Sequence, residues 1–85
     1  MVKSIVILGS TGSIGTTVLS VIKNNNFKVR LLSTNKNASK LLKQAILYKV
    51  KDVIIEDEKK YKNYYKKFKR KKIRLHLGLI NIKKI

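Results

Sequence analysis

The sequence predicts an α/β fold: a parallel sheet with helices on its faces, in the order β-α-β-α-β-α-β. Three observations predict it. Short β-branched apolar runs alternate with longer segments of helical period. The joins between them are only a few residues long. A glycine turn stands between the first apolar run and the first amphipathic segment. Right-handed crossovers between parallel strands then make one half of a doubly wound sheet.

The first run, "KSIVIL" at 3–8, is ended by glycine and reads as a strand buried on both faces. A helix is predicted from Ser13 to Asn24, with Ile14, Val18, Val21 and Ile22 as one apolar stripe. The asparagine run at 24–26 ends it. "FKVRLLS", Phe27–Ser33, is the second strand. Thr34 or Asn37 is suited to cap the next helix, which presents Ala38, Leu41, Leu42 and Ala45 and runs to about Lys49. "DVII", Asp52–Ile55, is the third strand. Glu56, Asp57 and Glu58 follow at the positive end of a third helix, where each carboxylate contributes about 0.3–1 kcal/mol. Tyr61, Tyr64, Tyr65 and Phe68 fall at i, i+3, i+4 and i+7 of that helix. This is one aromatic face for packing on a sheet, with lysines on the other side. "IRLHLG", Ile73–Gly78, is a fourth strand, in which His76 reads as a partly exposed strand residue. The final residues, 79–85, carry no strong pattern.

Composition narrows the function classes. The chain has 85 residues, enough for one small domain, and a formal net charge of +17. Without cysteine it has neither a disulfide frame nor a thiolate metal site, and one histidine and four acidic residues argue against any metal centre. No apolar run approaches the length of a membrane span. The apolar start is too short for a signal peptide and leads straight into glycine, so a cytoplasmic chain is expected. Lysine outnumbers arginine 18 to 3. Arginine is the usual reader of phosphates and base edges. The charge is therefore read as solvated helix faces rather than as a nucleic-acid surface.

The turn Gly9-Ser10-Thr11-Gly12-Ser13-Ile14-Gly15 carries the chemistry. Strand, glycine turn and helix in this order are what a dinucleotide pyrophosphate requires. Gly9 permits the tight turn, Gly12 lets the backbone approach the phosphates, and Gly15 lets helix and strand pack closely. Free N–H groups at the helix start face the anion. A phosphate-binding P-loop would need lysine after its last glycine, where Thr16 stands. The fold expected is therefore a partial Rossmann-like one. At the end of the second strand, an NAD-selective site places an acid. Here Ser33-Thr34-Asn35-Lys36-Asn37 has none, and Lys36 would attract a 2′-phosphate. NADPH is expected in preference to NADH.

Three stretches resemble the N-terminal part of the 1-deoxy-D-xylulose 5-phosphate reductoisomerase family: "ILGSTGSIG" at 7–15, "TNKN" at 34–37 and "QAILYKVKDVIIEDEKKY" at 44–61. The resemblance implies that Gly9, Thr11, Gly12, Ser13, Ile14 and Gly15 form the cofactor turn. It implies that Asn35, Lys36 and Asn37 lie at the adenosine 2′-phosphate. Asn35 stands where the family has glycine, and Val50 where it often has proline. The family enzyme reduces a phosphosugar with NADPH, uses a carboxylate-bound divalent metal and is a homodimer. Its catalytic and metal-binding parts would lie beyond these 85 residues. Residues 1–85 are thus expected to be an incomplete NADPH-binding domain, with no catalytic residue or metal ligand and no activity alone. Two other readings stand beside this one. The first is the nucleotide-binding start of another NAD(P)-dependent oxidoreductase, such as an extended short-chain or a semialdehyde dehydrogenase. The second is a small basic nucleic-acid-binding domain.

Overall fold

The computed structural model describes residues 3–23 and 27–80. Its elements are β1 (Lys3–Ile7), α1 (Ser13–Lys23), β2 (Phe27–Thr34), α2 (Ala38–Leu47), β3 (Asp52–Ile55), α3 (Glu58–Arg70) and β4 (Arg74–Leu77). The four strands are parallel and lie in chain order, β1-β2-β3-β4. The predicted alternation and its element positions hold. The asparagine run at 24–26 and residues 81–85 lie outside the described residues.

Each connection steps to the next strand in the same direction, so one face of the sheet receives all three helices. A single core results: Ile7, Val29, Leu32, Val53, Ile55 and Leu75 from the strands meet Leu19 and Ile22 of α1, Leu41 and Ala45 of α2, and Phe68 of α3. Phe68 is fully buried. Burial of a side chain of this kind contributes about 1.5–3 kcal/mol. The aromatic face of α3 packs as its spacing predicts, with Tyr61 and Tyr64 against the core and the Tyr65 ring tilted at 54° to that of Tyr61, their centroids 5.6 Å apart. Strand register shifts once, between Ile5 and Val6, where Arg30 is the extra residue of β2. That bulge turns both Val29 and Leu32 toward the helices.

Two expectations are corrected. β1 is not buried on both faces: Val6 is 49% exposed and Leu8, just beyond the strand, 52%. It is an edge strand, paired only with β2 among the described residues. The stripe predicted on α1 is also only partly buried. Ile22 is in the core, but Ile14 is 81%, Val18 40% and Val21 59% exposed. The buried face runs through Gly15, Leu19 and Ile22 instead. The reason is steric: Gly15 lies against the backbone of the turn, and this contact selects which side of the helix meets the sheet.

Helix ends follow local chemistry. Asn37 caps α2 by accepting from Lys40 N–H at 3.2 Å, and Asp57 caps α3 by accepting from Lys60 N–H at 2.9 Å. Lys49 and Lys72 close α2 and α3 in the left-handed region, with φ of 58° and 59°. The following Val50 and Ile73 N–H groups reach back to Ala45 and Phe68 carbonyls. Among the described residues, no helix is long and apolar enough to cross a membrane.

Candidate functional site

The carboxyl ends of β1 and β2 lie side by side, and the two loops leaving them form the candidate site. The first is the glycine turn. Gly9 has φ of +70°, which a side chain would strain. A β-carbon on Gly15 would stand 2.4 Å from the Gly9 carbonyl oxygen, so close packing of α1 on the turn demands glycine there. Gly12 is different. A β-carbon there would meet only the Gly9 carbonyl oxygen, at the ordinary distance of 3.5 Å. Neither backbone strain nor internal packing requires this glycine, and the space above it is open. The first N–H groups of α1, from Ser13 onward, have no acceptor within the helix. Gly9, Gly12, Ser13, Ile14 and Val18 line a depression of about 420 Å³ on the unpaired side of β1.

The second loop is Asn35-Lys36-Asn37, and all three side chains are exposed. Lys36 makes no side-chain hydrogen bond or ion pair with another described residue. Asn35 is held through its backbone, its carbonyl accepting from Asp57 N–H at 2.9 Å. Asn37 spends its side-chain oxygen on the α2 cap. The end of β2 carries no acid, and the nearby Glu56 carboxylate accepts from Leu79 N–H at 2.6 Å.

A network joins the two loops; sequence reading named its loop residues but not the bonds among them, and gave no role to Lys40 or Gln44. Ser10 is fully buried, and its N–H donates to the Ser33 carbonyl at 2.8 Å. Gly9 N–H donates to Ser33 Oγ at 3.0 Å. The Thr11 and Thr34 hydroxyls share a hydrogen bond of 2.6 Å. From α2, the buried Gln44 carboxamide grips Ser10 twice: Oε1 accepts from the Ser10 hydroxyl and Nε2 donates to the Ser10 carbonyl, both at 2.8 Å. One turn earlier, Lys40 Nζ donates to the Thr11 carbonyl at 3.0 Å. The available signal was the four-residue spacing of Lys40 and Gln44, which puts both on one side of α2. Every described buried side-chain polar atom has a partner.

His76 lies away from this site. Its Nε2 is 3.1 Å from Asp52 Oδ1, and Arg74 binds the same carboxylate through both oxygens at 2.6 and 2.7 Å. Asp52 and Arg74 begin β3 and β4, so the cluster sits at the opposite end of the strands from the glycine turn. The Arg74 hydrogen bond holds the Asp52 carboxyl below the ordinary carboxylate range. Among the described residues, no three His, Cys, Asp or Glu side chains are grouped to hold a metal ion.

Known proteins resemble this chain in sequence and in fold. Residues 5–85 match the family model of 1-deoxy-D-xylulose 5-phosphate reductoisomerase. The reductoisomerase of Pelagibacter ubique is 42% identical over 85 residues, covering 98% of this chain and 22% of its own length. That of Proteus mirabilis is 51% identical over 59 residues, 67% of this chain and 15% of its own. The chain thus spans about a fifth of the length of such relatives. Among solved structures, the Zymomonas mobilis reductoisomerase in complex with NADPH superposes with a TM-score of 0.84 at 26% identity, over 92% of this chain and 21% of its own. A reductoisomerase structure with fosmidomycin and magnesium also superposes with a TM-score of 0.84 at 26% identity, over 94% of this chain and 21% of its own.

Proposed function

The chain belongs to the 1-deoxy-D-xylulose 5-phosphate reductoisomerase family, and from that membership we propose that residues 1–85 are the N-terminal part of an NADPH-binding domain. Neither the nucleic-acid reading nor assignment to another oxidoreductase family is favoured by these matches. In this proposal Thr11, Gly12, Ser13 and Ile14 line the pyrophosphate, Gly9 and Gly15 shape the turn, and Asn35, Lys36 and Asn37 receive the adenosine 2′-phosphate. Gly12 is the observation that carries it. Of the three turn glycines, it alone is required by nothing inside the protein, while a ligand lying against the α1 N-terminus would require it. The residues present fit the cofactor: open backbone at the turn, unpaired helix N–H groups, an unengaged Lys36, and no carboxylate in the Ser33–Asn37 segment to repel a phosphate.

When bound, NADPH supplies a hydride. The chain's own residues bind and orient it. No acid, base or metal-ligand role falls to a residue of this chain in this proposal. The conversion of 1-deoxy-D-xylulose 5-phosphate to 2-C-methyl-D-erythritol 4-phosphate, in a cytoplasmic homodimer using a divalent metal, belongs in this reading to a full-length protein. The 85 residues alone are expected to be inactive. The test is Gly12→Val. It should remove NADPH binding, read by calorimetry, while circular dichroism shows the helix content retained. Unchanged NADPH binding in that variant would defeat the assignment.

A further inference from the structure

We propose that Lys40 is a specificity-determining residue of this site, its ammonium pairing with the 2′-phosphate of NADPH. The inference rests on the NADPH reading above and adds to it a cation that neither the sequence motifs nor the resemblance singled out.

Lys40 differs from the other lysines. Among the described lysine side chains, it is the one that is not exposed. Its stem lies along the groove between α1 and α2, beside Thr16, Leu19 and Gln44. Its ammonium is anchored at 3.0 Å on the carbonyl of Thr11, in the middle of the glycine turn. One of its three N–H bonds is thereby used and two remain. No carboxylate compensates it. The described ion pairs use Glu58 and Asp52, Asp57 caps α3, and Glu56 binds the Leu79 amide. A half-buried ammonium resting on a neutral carbonyl is a positive charge awaiting a counterion.

Position selects which phosphate supplies it. The pyrophosphate belongs to the start of α1, at Gly12, Ser13 and Ile14. Lys40 comes from α2, one turn beyond the Asn37 cap and four residues beyond Lys36. This is the β2 side of the crevice, where dinucleotide folds place the adenosine ribose. The Thr11–Thr34 hydroxyl bond closes the turn against the end of β2 at the same place. Lys36 and Lys40 then approach the 2′-phosphate from outside and inside the crevice. The anchored ammonium loses less freedom on binding than the exposed one.

A purely structural staple would behave differently, since breaking it would affect every nucleotide alike. The experiment titrates the 85-residue chain and its Lys40→Gln variant with NADPH and with NADH, followed by nitrogen-15 NMR. The NADPH-over-NADH preference should fall about tenfold in Lys40→Gln, as expected for loss of a charge-assisted hydrogen bond. Lys40→Arg should retain most of the preference. An unaltered preference in Lys40→Gln, whatever happens to the absolute affinities, overturns the inference and leaves the NADPH reading standing. If the wild-type chain binds neither nucleotide, the NADPH reading falls and this inference falls with it. If Lys40→Gln unfolds, the side-chain nitrogen signal of wild-type Lys40 decides. A shift with 2′,5′-ADP and not with ADP supports the pairing, and an equal response to both overturns it.

Discussion

A β-carbon on Gly15 would stand 2.4 Å from the Gly9 carbonyl oxygen and 2.6 Å from Ser10 Cα, and neither backbone atom can swing aside. Gly15→Ala is therefore expected to destabilise the chain by about 1–3 kcal/mol, the usual cost of overpacking. Gly12→Ala should leave stability nearly unchanged. Denaturant melts of the two variants check this, and equal losses would show that the two glycines do not differ as described. The structural tasks of Gly9 and Gly15 were legible in the sequence because glycine at a strand-turn-helix junction has few reasons to be there. Gln44 and Lys40 were not. Polar residues next to the Leu41–Ala45 stripe look like a solvent-facing boundary until the turn that they grip is in place.

At the scale of elements, α1 shows where periodicity runs out. Ile14, Val18, Leu19, Val21 and Ile22 form an apolar arc of about 160° at about 100° per residue, wider than the part that is buried, so spacing alone does not select which edge of it meets the sheet. The glycine does, because only the side containing Gly15 can come close to the turn. In α3 the apolar residues occupy one side only, and spacing was sufficient. The β3–β4 pairing carries a pH dependence. Its Asp52 carboxyl is held below its ordinary value, chiefly by the hydrogen bond from Arg74. A carboxylate with a lowered folded-state value contributes stability that is complete above its unfolded value, about 3.9, and is lost as pH falls through the folded one. Thermal melts should thus lose part of their stability below about pH 4, and Asp52→Asn should remove that part of the slope. Identical slopes in the two proteins would remove Asp52 from the explanation.

For the molecule as a whole, two properties stand out. The first is charge. With a net charge of +17, the folded chain repels itself, so added salt should stabilise it. A gain on the order of 1 kcal/mol, or about 4–8 °C in Tm for a domain of this size, is expected between low and physiological ionic strength. A fall in Tm would contradict this. The second is the uncovered side of β1 and α1, where Val6, Leu8, Ile14, Val18 and Val21 are exposed beside the glycine turn. The sequence showed these residues as apolar and so invited the reading that they are buried. Whether an apolar residue is covered depends on what lies next to it, and local pattern does not contain that. For the same reason the glycine turn and the Asn35–Asn37 loop could be read from sequence as candidate site segments, while the network joining them could not.

We propose that the two loops at the ends of β1 and β2 bind NADPH, and an amide-resolved NMR titration of the 85-residue chain with NADPH is the direct test. The expected result is a saturable shift confined to Gly9–Gly15 and Asn35–Lys40, with the amides of α3 and β4 unmoved. Shifts centred on the lysines of α3, or none at millimolar NADPH, would contradict it.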